Sequence, residues 1–102
     1  MGPIERSIVT KLRQALIPIE LQVLNESSMH NVPANSETHF KIVAVSEKFD
    51  TQRLIQRHQA IYKLLSAELA GSVHALALHT YSPSEWIARG AAVSASPKCR
   101  GG

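Results

Sequence analysis

Apolar residues recur at helical spacing from the start of the chain. Ile4, Ile8, Leu12, Ala15 and Leu16 share one face, while Glu5, Arg6, Lys11 and Arg13 take the others. Pro3 suits a first helical turn, and Pro18 cannot continue a helix, so the element ends just before it. Period two follows. Ile19, Leu21 and Val23 alternate with Glu20 and Gln22, a strand with one wet face. A second strand is predicted from about Thr38 to Ser46, with Phe40, Ile42 and Ala44 on one face and Lys41, Val43 and Val45 on the other. His39 falls with Lys41 on a face expected to meet solvent. The connection between the two strands, about Glu26 to Glu37, is polar, contains Pro33 and is far longer than an ordinary hairpin loop. Loops of that length are often functional.

A long helix is predicted next, capped by Asp50 or Thr51, with Leu54, His58, Ile61, Tyr62, Leu65 and Leu69 as its inward stripe. Gly71 stands where a left-handed cap needs no side chain. A third strand runs from Val73 to Thr80 with Leu76 and Leu78 on one face, and His79 is expected to be exposed. A short helix then starts at Ser82 or Ser84, includes Pro83, Glu85, Trp86 and Ile87, and ends at Gly90. The order is α-β-β-α-β-α. The first two strands are expected to pair antiparallel. The helical crossover favours a parallel third strand, which makes an α+β fold with a three-stranded mixed sheet covered by helices on one face.

Composition fits one globular unit. The chain has 102 residues, 44% of them apolar and 19% charged, enough for a core without metal or disulfide staples. Residues 1–93 read as one domain and 94–102 as a flexible tail. No apolar run approaches the ~18–20 residues that cross a bilayer, and the charged N-terminal pattern reads as a first helix, not a signal peptide. Cys99, the single cysteine, closes no internal disulfide and is expected to be a free thiol in a reducing, cytoplasmic setting. There is no phosphate-binding loop, dinucleotide fingerprint, nucleophile elbow or paired-carboxylate signature. The chain therefore reads as a binding protein, not an enzyme, with no membrane and no small-molecule substrate among its partners.

The histidines are the most distinctive chemistry. There are five: His30, His39, His58, His74 and His79. His58 lies on the helix stripe and reads as a packed, hydrogen-bonded core residue. His30 sits in the long loop, and His74 opens the third strand. None is spaced as a helical zinc site, and no Cys-x-x-Cys is present. Two imidazoles cannot complete a four-coordinate site, so any metal held by His30 and His74 needs ligands from another molecule.

The segment His30-Asn31-Val32-Pro33-Ala34-Asn35-Ser36-Glu37-Thr38-His39-Phe40-Lys41 resembles the HNVPxxSExHFK signature of bacterial BolA proteins. Arg57-His58 with Ile61-Tyr62, Leu65 and Glu68-Leu69 is similar to that family's long helix. Val73 to Tyr81 followed by Glu85-Trp86 is similar to its third strand and last helix, and Ala95 to Gly101 to its end, with Lys98 where a second proline is common. The resemblance covers nearly the whole chain. It implies a class II KH-like fold and two roles. In one, the protein pairs with a monothiol glutaredoxin around a [2Fe-2S] cluster. The glutaredoxin cysteine, glutathione and the BolA partner hold that cluster, the BolA positions falling on His30 and His74. No cofactor is expected in the isolated chain. In the other, it is a stress-linked, DNA-binding transcription regulator affecting cell shape, envelope genes and biofilm formation.

Charge adds little by itself. The formal net charge is +3, weakly basic and well mixed. KH domains grip single strands through G-x-x-G, and no such spacing occurs here. For duplex DNA the candidates are Arg53, Arg57 and Lys63 on the long helix, with Arg53 and Arg57 one turn apart and expected to face phosphates together. About three such contacts would give a slope near −3 in log K against log salt.

Overall fold

The computed structural model describes residues 1–90, so the expectations for the tail and for Cys99 lie outside the described residues. Its elements are helix α1 (Pro3–Leu16), strand β1 (Glu20–Asn25), strand β2 (His39–Val45), helix α2 (Leu54–Leu64), helix α3 (Ser66–Ala70), strand β3 (Ala75–Tyr81) and helix α4 (Pro83–Ala88). Short 3-10 turns occupy Ser27–Met29 and Glu47–Phe49. The sheet order is β1-β2-β3, with β1 antiparallel and β3 parallel to β2. That is the expected α+β mixed sheet.

Register fixes which side chains meet. Leu21, Val23, Ile42, Ala44, Leu76 and Leu78 occupy one face, because Ala44 pairs with Leu21 and Ile42 with both Val23 and Leu78. Onto this face pack Ile8, Leu12 and Leu16 of α1, together with Phe49, Ile61, Leu65 and Val73. Val43 and Val45 point the other way yet are fully buried, as suits a central strand flanked on both sides. On that face Tyr81 lies 5.4 Å from Trp86 of α4.

Local chemistry explains the ends. α1 has no side-chain cap of its own; the Glu37 carboxylate accepts from the Ile4 and Glu5 N–H groups at 3.2 and 2.9 Å, placing negative charge at the helix N-terminus. α1 closes through Ile17 in a left-handed turn at φ 44°, and Pro18 disfavours the right-handed helical region for its predecessor, so the helix cannot continue. Ser82 and Glu85 form a reciprocal capping box on α4, which ends at Gly90 with φ 77°.

Five sequence expectations are corrected. The single long helix is two, broken at Leu65, and its start is Arg53, whose N–H donates to Gln56 Oε1 at 2.8 Å, not Asp50 or Thr51. The 3-10 turn before it is capped by Ser46, which also donates to the Leu16 carbonyl. With the start moved, Leu54 and Tyr62 are exposed, and the inward positions are Arg57, Ile61, Leu65 and Glu68. Gly71 has φ −98° and is no left-handed cap. Ile19 precedes β1 and is exposed.

Glu68 is buried on α3, where it accepts from Lys11 Nζ and Ser7 Oγ of α1. Burial pushes its carboxyl pKa up, but these hydrogen bonds outweigh it and hold the group below its ordinary value.

Candidate functional site

The long loop is folded, not slack. Asn25, at the end of β1, donates from its amide to the Ser36 carbonyl, and its Oδ1 accepts from Ser27 Oγ at 2.6 Å. Ser27 is buried, and its Oγ accepts from the Thr38 and His39 N–H groups at 2.8 and 3.1 Å. Glu26 N–H closes the loop onto the His39 carbonyl at 2.8 Å. These bonds satisfy main-chain groups that the missing strand pairing leaves open. They also place residue 30, just past the 3-10 turn, over the first residue of β2.

β3 delivers the second segment. It runs parallel to β2 and starts at the same end, with Ala75 beside His39. The His74 N–H donates to the Thr38 carbonyl at 2.7 Å. The loop and the openings of both strands thus bring three imidazoles together. The His30 and His39 rings stack with centroids 3.6 Å apart and planes 14° from parallel. His39 and His74 meet edge to face at 6.1 Å. His30 and His74 are exposed and His39 is half-buried. Thr38 Oγ1 is 2.8 Å from His39 Nδ1. Burial first, then the neighbouring His30 and His74, push the His39 pKa below its ordinary value, which favours the neutral ring.

His30 and His74, 44 positions apart in sequence, therefore border the same ring. His39, expected on a solvent-facing side of the strand, is instead half-buried between these rings. The available signal was that His39 and His74 open adjacent parallel strands. Among the described residues no group of three or more His, Cys, Asp or Glu is arranged to hold a metal by itself. Imidazole nitrogens at an open edge do fit a partial ligand set for iron that a second molecule completes.

The other histidines differ from expectation too. His79 is half-buried; burial, then Lys41 and Arg89, push its pKa down. His58 Nε2 is buried with no hydrogen-bond partner among the described residues.

The cationic candidates separate. Arg57 is 5% exposed, and its guanidinium donates to the Gln52, Thr80 and Phe49 carbonyls and to Glu85 at 2.7 Å. A guanidinium so occupied has no fork left for a phosphate, so Arg57 is not the outward partner of Arg53. Arg53 and Lys63 are exposed. Lys63 stands with Lys48 beside a groove floored by Leu16, Phe49 and Leu64. No helix among the described residues is long and apolar enough to cross a membrane.

Comparison with known proteins adds lineage to this geometry. The family model for BolA-like protein matches residues 12–85. A relative in Escherichia coli (strain K12), named DNA-binding transcriptional regulator BolA, is 52% identical over 96% of this chain and 93% of its own. The solution structure of BolA1 from Mus musculus is similar with a TM-score of 0.83 at 46% identity, over 99% of this chain and 81% of that one. The BolA domain of SufE1 from Arabidopsis thaliana is similar with a TM-score of 0.78 at 38% identity, over 83% of this chain and 98% of that one.

Proposed function

This chain belongs to the BolA-like family, and from that premise we propose that it is an adaptor that binds a monothiol glutaredoxin and shares a [2Fe-2S] cluster with it through His30 and His74. The observation that carries the reading is the convergence of both imidazoles on the His39 ring at one open end of the sheet. Two donors offered to solvent are too few for a cluster that needs four ligands, so the edge calls for a partner carrying the rest, here a glutaredoxin cysteine and glutathione. When bound, the cluster supplies a one-electron couple. The chain supplies imidazole nitrogens, the His30 main chain held by its N–H on the Ser27 carbonyl and the His74 main chain by its N–H on the Thr38 carbonyl.

The test mixes the purified chain with cluster-loaded monothiol glutaredoxin and follows visible absorption and circular dichroism. Wild type should change both spectra, and His74→Ala should not reproduce that change. Identical spectra from wild type and variant would remove His74 as a donor. Imidazole must be neutral to bind metal, so cluster retention should weaken as the pH falls toward ~6.

A second reading, DNA binding in transcription regulation, is favoured by one observation: the bacterial relatives carry the name DNA-binding transcriptional regulator. Its contacts here would be Arg53 and Lys63, without Arg57.

A further inference from the structure

His39 touches both imidazoles proposed above as donors, and it is the most hydrogen-bonded of the three. Its N–H is held by Ser27 Oγ at 3.1 Å, its carbonyl by the Glu26 N–H at 2.8 Å, and its Nδ1 lies 2.8 Å from Thr38 Oγ1. It is also the first residue of the central strand. His30 has none of this support for its ring. Its main chain is tied through the Ser27 carbonyl and the Val32 N–H, its side chain is exposed, and its stacking contact among the described residues is His39.

The stack also decides what His39 does not do. Lone pairs on imidazole nitrogens lie in the ring plane. Two nearly parallel rings 3.6 Å apart aim those lone pairs along separate, parallel planes. One metal ion about 2.0–2.1 Å from a nitrogen of each cannot lie in both planes. His39 is thus not a second donor to an ion held by His30. What a hydrogen-bonded ring against an exposed one provides is orientation: it limits rotamer freedom that His30 would otherwise lose on binding.

We infer that His39 is a positioning residue, a platform anchored in the sheet that holds the His30 imidazole ready for a metal shared with a partner protein. The inference rests on the reading of His30 as a donor. A stacked aromatic pair sets the expected effect at about three- to tenfold in the partner's apparent affinity.

The experiment compares His39→Ala with His39→Phe, which keeps a stacking face and has no nitrogen. In the free chain, carbon-proton NMR of the histidine rings reads the ring-current displacement of His30. It should persist in His39→Phe and collapse in His39→Ala. Circular dichroism titration with cluster-loaded monothiol glutaredoxin should then show about three- to tenfold weaker association for His39→Ala and near-normal association for His39→Phe. Equal loss in both variants would mean that the His39 nitrogen matters and would overturn the platform role. Unaltered His30 resonances and affinity in His39→Ala would overturn it as well. The His74→Ala control leaves the stack in place. If it matches wild type in the titration while the His30 resonances still collapse in His39→Ala, the shared-metal reading fails and the stacking contact survives that failure.

Discussion

A guanidinium drawn inside a fold must find acceptors for its donors, and Arg57 finds them on both sides. The carbonyls of Phe49 and Gln52 lie just before α2, while Thr80 and Glu85 belong to the end of β3 and to α4. One side chain therefore ties the entry of the crossover helix to the strand it delivers. Glu85 is 49% exposed, so the ion pair itself contributes little once water screens it. The greater part comes from the buried guanidinium's hydrogen bonds to the Phe49, Gln52 and Thr80 carbonyls, which no water screens so well. Arg57→Ala should lower stability by about 2–4 kcal/mol in urea unfolding at neutral pH, and Arg57→Lys should recover only a fraction, since an ammonium lacks the planar fork. The pH dependence has a definite sign. The hydrogen bonds from Arg57, and after them the Ser82 N–H, lower the Glu85 pKa from 4.5 to about 2. Its contribution is therefore complete above the unfolded value and fades as the pH falls toward the folded one. The stability gap between wild type and Arg57→Ala should be steady near pH 7 and narrow between about pH 4.5 and 2. A gap that stays constant in acid would take Glu85 out of the account.

At the scale of elements, the loop from β1 to β2 depends on one buried hydroxyl. Ser27 Oγ is the acceptor for the N–H groups of both Thr38 and His39. Ser27→Ala leaves two donors unpaired at about 1–3 kcal/mol each before relaxation. Amide exchange at Thr38 and His39 should quicken by at least about tenfold, with less change at Ile42 in mid-strand. Uniform acceleration would mean that the loop and the sheet open as one unit. Glu37 gives a second handle. Glu37→Ala removes the acceptor at the α1 N-terminus and should cost about 0.5–2 kcal/mol, with faster exchange at Ile4 and Glu5. The loop was legible in sequence as an anomaly of length, but its wiring was not. Asn25, Ser27 and Thr38 belong to residue types that bond their own main chain as readily as a distant one. The phase of α2 was hidden for a related reason. Leu54, Ile55, Ile61 and Tyr62 permit two apolar stripes, and the true one includes Arg57, which no hydrophobic pattern would choose. Element order, the parallel third strand and the capping of α4 were readable because turn residues and periodicity agree there.

For the whole molecule the arrangement of charge matters more than its sum. Several of its cations are already engaged: Arg57 with Glu85, Lys11 with Glu68, and Arg89 over the Tyr81 ring. The histidine edge sits where β2 begins, at His39, while Lys48 and the groove it shares with Lys63 follow the end of β2 at Val45. A strand of seven residues spans roughly 20 Å. The histidine edge and this cationic groove are therefore at opposite ends of the central strand. Sites so far apart with no shared partner should respond independently to mutation. With Arg53 and Lys63 as the remaining contacts, duplex affinity should fall about tenfold from 50 to 200 mM salt, a slope near −2 and not the −3 that counting Arg57 would give. Arg53→Ala/Lys63→Ala should flatten that slope and leave the dichroism titration with cluster-loaded glutaredoxin unchanged. His74→Ala should do the reverse. A salt slope left intact by the double variant would move any DNA interface to another face. Loss of duplex binding in His74→Ala would mean that the two ends of the strand are coupled.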